Sequence, residues 1–232
     1  MTEGIRIGDP AIEIRLRRDA RARRMVLRVS RTEDGPVLTL PPHVSMARAR
    51  AFALDQEGWL RRQLAAAPGR IPVKHGTALP YRGGVVTVFN AATGRPAIRD
   101  GGLHLSGPDA AVPARAAAYL REAARQRCLA AAEVHAARLA RPVGRITMRD
   151  TRGRWGSCTA AGDLMFSWRL ILAPDPVLDY VAAHEVAHLA EMNHSSRFWA
   201  VVARLRPDYA VHRDWLRRNG PDLMAYDFAP TG

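Results

Sequence analysis

The segment HEVAH at residues 184–188 constrains this chain more than any other feature, because it sets two histidines four residues apart with a glutamate after the first. Asp175 followed by Pro176 is a favourable helix start, and we expect that helix to run to about Met192. Residues four apart share one face of a helix, so the imidazoles of His184 and His188 can bind one zinc ion.

Glu185 and a third histidine complete the predicted site. Glu185 is turned about 100° from His184 around the helix axis, so it would lie beside the ion and take a proton from water as general base. Glu191 lies about 10 Å further along the helix than His184, too far to share one metal with it. Asn193 suits the left-handed conformation that ends a helix and can turn His194 back towards the ion.

The ligand set His184, His188 and His194 leaves a fourth zinc position open for water, which is the catalytic rather than the structural arrangement. Metzincins share this histidine spacing but carry a glycine where this chain has Glu191. The pattern therefore predicts a hydrolase with one Zn²⁺ per chain.

Longer stretches around the motif resemble one group of bacterial proteins. These stretches are RWGSC at 154–158, LMFSWRLILAP at 164–174, DYVAAHEVAHL at 179–189, NHSSRFW at 193–199 and RPDY at 206–209. Together they are similar to the YgjP-like metallopeptidase family, which itself resembles the SprT-like and WLM zinc proteases. The resemblance implies a zincin-like catalytic domain, zinc held by His184, His188 and His194, and Glu185 as general base. It specifies no substrate beyond the protein or peptide that a peptidase cleaves.

The whole chain predicts an α+β fold in two parts. Residues 1–107 form a β-rich N-terminal part with one helix, and residues 108–232 form the zincin-like catalytic part with the HExxH helix. The boundary is soft, and one core can be shared by both parts. The first part holds strands at 11–18, 25–29 and 37–40, a turn at Asp34-Gly35, a helix from Ser45 to about Ala67 broken by Pro68, and a small antiparallel sheet built from 85–89, 96–98 and 103–105.

The catalytic part begins with a long helix from Pro113 to about Ala140. Strands at 146–148 and 164–168 follow it, and shorter helices at 196–206 and 208–218 follow the HExxH helix. Gly220-Pro221 is predicted to end the last of them. Phe198 and Trp199 are interpreted as core residues.

Five residues near the motif are candidates for the substrate cleft. Arg154 and Trp155 belong either to an edge strand that a peptide extends or to a tight turn with a buried tryptophan, and both interpretations stay open. Arg197, Tyr209 and His212 are candidates for stabilising the oxyanion of the transition state, and the sequence does not choose among them.

The charge of the chain favours a second class of partner. The net charge is +13, and Lys74 is the one lysine among 35 basic residues, so nucleic acid can associate through the basic surface. Two alternatives to a peptidase follow. One is a YbeY-like metal-dependent endoribonuclease, although those enzymes lack the glutamate beside the first histidine. The other is a non-catalytic nucleic-acid-binding module with a structural metal.

The N-terminal residues contain no apolar stretch of the secretory type, and no apolar run approaches the ~20 residues of a membrane span. We therefore expect a cytoplasmic protein without membrane association. The cysteines, Cys128 and Cys158, are too few for a disulfide framework.

Overall fold

The computed structural model describes residues 3–29, 35–65, 69–151 and 153–229. The chain forms two compact units, Met1–Gly69 and Arg70–Gly232. Both contain helices and sheets, which confirms the α+β class. The predicted turn residue Asp34, the predicted helix end at Ala67 and the helix breaker Pro68 lie outside the described residues.

The first unit contains one four-stranded sheet. Its strands are β1 (Gly4–Ile7), β2 (Ile12–Arg18), β3 (Val26–Val29) and β4 (Pro36–Leu40), in the order β1-β2-β4-β3. Strands β2 and β4 are parallel, and the other two pairs are antiparallel. The alternation predicted for β2 is present, because Ile12, Ile14 and Leu16 are buried while Glu13 and Arg17 are exposed.

Two helices, α1 (Met46–Asp55) and α2 (Glu57–Ala65), follow this sheet instead of the one helix that was predicted. Ser45 begins α1 as expected, since its Oγ accepts a hydrogen bond from the backbone N–H of Arg48. Gln56 separates the helices because its φ of −94° and ψ of 4° leave the helical range. The buried faces of sheet and helices share one apolar core.

The second unit starts with β5 (Ile71–Pro72) and a sheet of β6 (Ala78–Tyr81), β7 (Gly84–Ala91), β8 (Ala97–Arg99) and β9 (Gly102–Ser106). The strand order is β6-β7-β9-β8, and β7 and β9 are parallel. The predicted all-antiparallel sheet is therefore wrong, because the chain crosses over through β8 before it returns beside β7.

This sheet packs on the long helix α3 (Val112–Leu139). Val88 and Leu103 of the sheet and Leu120 of the helix are fully buried in the same core. The predicted division at residue 107 therefore falls inside the second unit. Strands assigned to the predicted N-terminal part share their core with a helix assigned to the predicted catalytic part.

The remaining elements surround the HExxH segment. They are β10 (Ile146–Arg149), β11 (Gly156–Cys158), β12 (Leu164–Ser167), α4 (Asp175–Ala187), α5 (Ser196–Leu205), α6 (Tyr209–Leu223) and β13 (Tyr226–Asp227). The strand order β10-β12-β11 leaves β11 at one edge of its sheet. Across the residues that the structure describes, no helix combines the length and the apolar character needed to cross a membrane.

Two predicted helix ends are wrong. Helix α4 ends at Ala187, short of Met192, because the backbone N–H groups of His188, Leu189 and Ala190 bond to carbonyls three residues back, which tightens the turn. Helix α6 continues past Gly220-Pro221 to Leu223. Its last turn is fixed by packing, since both Gly220 and Leu223 are buried.

Candidate metal centre

Helix α4 carries the HExxH segment in a largely apolar setting. Val177, Val181 and Val186 are buried along it. Its last turn presents His184 and Glu185, and His188 is its C-terminal capping residue. Burial of the helix fixes the direction of these polar side chains before any ligand binds.

The three predicted ligands converge at the end of this helix. One ring nitrogen from each of His184, His188 and His194 lies within 4.8 Å of the other two. Nε2 of His194 is 3.1 Å from Nε2 of His184, and the ring centroids of His188 and His194 are 4.8 Å apart. Three imidazole nitrogens this close together form a donor set that suits zinc, so the residues present fit a metal ion.

Asn193 turns the chain differently from the prediction. The described non-glycine residues with positive φ are Arg82, Asp100 and Ala140, so Asn193 does not adopt the left-handed conformation. Its Oδ1 instead accepts a hydrogen bond from the backbone N–H of Ser195, a local turn that asparagine forms readily. This turn still brings His194 back to the other two histidines.

Glu191 orients one of the three rings through its backbone. Nδ1 of His188 lies 3.1 Å from the carbonyl oxygen of Glu191, so an N–H there leaves Nε2 free to bind a metal. The side chain of Glu191 is instead 3.5 Å from the guanidinium of Arg197. Glu191 was excluded as a ligand from its position in the sequence, and its orienting contact with His188 was not predicted.

Phe198 packs against all three histidines, a role that the sequence did not reveal. Its ring is fully buried, as predicted for a core residue. It stacks on His188 at 4.5 Å between centroids and meets His184 and His194 edge-on at 4.9 and 4.7 Å. Trp199, also predicted as core, is only partly buried.

Glu185 is buried beside the histidines with 5% of its surface exposed. Burial raises its pKa to about 8, and the guanidinium of Arg154 acts in the opposite direction. Burial also lowers the pKa of His184 to about 3, with smaller contributions from His188, His194 and Arg213. Neutral imidazole is the form that binds a metal, and burial therefore favours the form of His184 that can bind one.

A cavity of about 220 Å³ opens beside Glu185. Its lining residues are Arg154, Trp155, Gly156, Tyr180, Val181, His184, Glu185 and Leu216. The structure therefore places two predicted cleft residues, Arg154 and Trp155, next to the predicted general base. The strand begins only at Gly156, so Arg154 and Trp155 lie just before the edge strand β11. Tyr180 was not predicted, although it lies four residues before His184 and so faces the same side of the helix.

The three oxyanion candidates lie in different surroundings. The side chain of Arg197 is 78% exposed and faces Glu191. His212 is engaged elsewhere, with Nε2 3.0 Å from Arg206 and 2.9 Å from Asp208. Tyr209 is closer to the site, since its ring stacks on Trp199 at 5.3 Å and on Tyr180 at 6.5 Å. Among the described residues that line the cavity, none of these three is present.

An α+β chain with three converging histidines at an HExxH helix has the architecture expected of a metallopeptidase. A family model described as the YgjP-like metallopeptidase domain matches residues 23–219. The chain therefore belongs to the YgjP-like metallopeptidase family.

Other comparisons add little to this assignment. The crystal structure of the metallopeptidase zymogen of Pyrococcus abyssi abylysin is similar at 21% sequence identity, with a TM-score of 0.37. The match covers 40% of this chain and 93% of that one. Among curated proteins, none matches this sequence significantly.

Proposed function

We propose that this protein is a zinc metallopeptidase in which His184, His188 and His194 hold the ion and Glu185 is the general base. The observation that carries the proposal is the convergence of three imidazole nitrogens within 4.8 Å beside a buried carboxyl group at the wall of a cavity. Three neutral nitrogen donors suit zinc, and a three-ligand set leaves a coordination position for catalysis.

Bound zinc would polarise the scissile carbonyl and lower the pKa of a water molecule towards ~7. Glu185 would take the proton of that water and later deliver it to the leaving amine. Its burial suits this work, because a carboxyl group with a raised pKa can hold a proton between the two steps. A zinc ion bound nearby would lower the pKa of Glu185, because a cation favours the ionised carboxylate that accepts the proton.

The edge strand β11 offers a place for the substrate backbone. Among the described strands, β12 alone pairs with residues 156–158, and a peptide can add to an open edge by main-chain hydrogen bonds. Because Gly156 of this strand also lines the cavity beside Glu185, a peptide added there would pass the general base.

Metal content and proteolysis together test the proposal. We expect about one zinc per chain by elemental analysis and cleavage of an unstructured protein such as casein. Phenanthroline should stop the cleavage and added zinc should restore it. Cleavage of RNA but of no peptide would favour the endoribonuclease alternative. Metal without hydrolysis, together with nucleic-acid binding, would favour the structural-metal module. The cytoplasmic location and the association of nucleic acid with the basic surface stay predictions.

A further inference from the structure

Among the described residues, two arginines flank the proposed active site without a salt bridge to a carboxylate, although the charge of Arg154 acts on the buried Glu185. Arg154 lines the cavity and is exposed. Arg213, also exposed, lies with its guanidinium carbon 5.0 Å from the ring centroid of Trp199 and acts electrostatically on His184. Within the described ranges, neither guanidinium is within 4.0 Å of a carboxylate oxygen, whereas Arg82 and Arg169 each form such a pair.

The cavity that Arg154 lines has a size and a lining that suit one side chain. Its volume of about 220 Å³ is below the ~300–1,000 Å³ typical of sites for drug-sized ligands. Trp155, Tyr180, Val181 and Leu216 supply aromatic and aliphatic walls. Such walls bind the methylene part of a side chain and leave a polar end group to find a polar partner.

The charges at this cavity differ in their access to solvent. Glu185 is its one carboxylate among the described lining residues, and only 5% of Glu185 is exposed. Arg154 is exposed at the same cavity. An anionic group from solvent can therefore reach the exposed guanidinium, whereas the carboxyl group of Glu185 is largely shielded from solvent. Arginine also binds carboxylates with two parallel hydrogen bonds, which adds geometric selectivity to the attraction.

We propose that this cavity is a carboxylate-recognition subsite, in which Arg154 binds a carboxylate of the substrate within about two residues of the scissile bond. Arg213 adds attraction at longer range. The inference rests on the proposed peptidase function and names the class of its substrate. The carboxylate can belong to an aspartate or glutamate side chain or to the end of a peptide chain.

Matched peptides test this subsite. Four fluorogenic peptides would share one sequence apart from the position of a carboxylate. The first carries glutamate beside the scissile bond, and the second carries glutamine at that position. The third keeps this glutamine and has the glutamate six residues away, and the fourth keeps it and has a free terminal carboxylate next to the scissile bond. We expect the first or the fourth to be cleaved at least about ten-fold better in kcat/KM than the second, the size expected of a charge-assisted contact. The third, which has the same net charge as the first, should behave like the second.

Variants assign the preference to one side chain. In Arg154→Gln, the kcat/KM values for the glutamate and glutamine peptides should agree within about two-fold, mainly through a change in KM. Arg154→Lys should retain part of the preference for glutamate. Arg217→Gln is the matched control, because it removes the same charge from an arginine of α6 that is 76% exposed and pairs with Asp214. This control should keep the full preference.

The outcomes separate the subsite from the peptidase function. Equal cleavage of all four peptides, or a preference that survives in Arg154→Gln, would overturn the subsite and leave the peptidase intact. If the first and third peptides were cleaved equally faster than the second, the subsite would be overturned as well, since the overall charge of the peptide would then explain the preference. Should no peptide be cleaved, the peptidase function fails. In that case the subsite is tested by the affinity of Glu185→Gln for the same labelled peptides, measured by fluorescence anisotropy. The affinities should then show the same ratios between peptides that are expected for kcat/KM.

Discussion

The backbone of Gly156 lies directly against the side chain of Glu185. A Cβ built on Gly156 would lie 2.5 Å from Oε1 of Glu185 and 2.6 Å from its Cγ, distances that no real Cβ tolerates. The edge strand and the proposed general base therefore fit together only because residue 156 has no side chain. This relationship ties the proposed substrate strand to the proposed proton acceptor.

Gly156→Ala should inactivate the enzyme without removing its metal. The added methyl displaces the Glu185 carboxyl, and a misplacement of about 1 Å can cost about 10²-fold in rate. The zinc content should not change, because no ligand moves. Steady-state proteolysis and elemental analysis check this result. Gly153→Ala is the control, since no atom of the described residues lies within 4 Å of a Cβ built there. Wild-type activity in Gly156→Ala would show that Glu185 does not depend on this contact.

Each of the three histidines should be needed to retain zinc. His184→Ala, His188→Ala and His194→Ala each remove one of three donors, and the site as described has no spare histidine. Elemental analysis after dialysis against a weak chelator should find little metal in each variant, with the circular dichroism of the folded protein preserved. Full zinc in His194→Ala would place the third ligand elsewhere. His212 is a poor substitute, because Arg206 and Asp208 already engage it.

Phe198→Leu should weaken zinc binding as well as the fold. Loss of the ring removes packing from all three histidines, so the site is less well organised before the ion arrives. We expect a destabilisation of about 1–3 kcal/mol and zinc affinity reduced about ten-fold or more. Leu120→Ala is the control, because Leu120 is equally buried in α3 and is absent from the ring contacts of the site. Equal zinc affinity in both variants would make Phe198 a core residue only.

How much of this site the sequence predicts depends on how local each contact is. The relation between His184 and His188 follows from helix periodicity, and the return of His194 follows from a turn of a few residues. The contact of Gly156 with Glu185 joins segments 29 residues apart, counted from their numbers in the sequence, and no periodicity signals it. The packing of Phe198 was predicted as burial, but its partners depend on how α5 folds back on α4.

The fold shows the same limit at Pro221. A proline normally marks a helix end because it lacks the N–H and clashes with the preceding turn. Here the helix continues for its last residues because Gly220 is packed against Trp155, with a built Cβ only 2.9 Å from Cζ2 of the indole. A tertiary contact from a distant segment thus overrides the local signal.

Acid should destabilise the second unit through Asp179. Its carboxylate accepts hydrogen bonds from Nε2 of His135 at 3.0 Å and from the guanidinium of Arg206 at 2.8 Å. Burial raises the pKa of Asp179, but these two partners outweigh burial and lower it overall. A lowered pKa stabilises the fold above the unfolded value of about 3.9, and this stability is lost as pH falls through the folded value.

Urea unfolding of Asp179→Asn checks this effect. The variant should be less stable than the wild type by about 1–3 kcal/mol at neutral pH, and the gap should shrink below about pH 4. His212 and Asp208 also contact Arg206, and both residues are present in the wild type and in the variant, so their contribution is common to the two proteins. Glu122→Gln, which removes the partner of Arg125 in an exposed pair, should show no such gap. A difference that stays constant down to pH 2 would exclude Asp179 as the source.

The most direct test of the account is the proteolytic rate of Glu185→Gln with its metal bound. Glutamine keeps the size of the side chain but cannot accept a proton at neutral pH. The variant should fold, hold as much zinc as the wild type and cleave casein about 10²–10⁴-fold more slowly, which is the contribution of a positioned general base. Unimpaired cleavage by the zinc-loaded variant would contradict the assignment of Glu185 and the mechanism built on it.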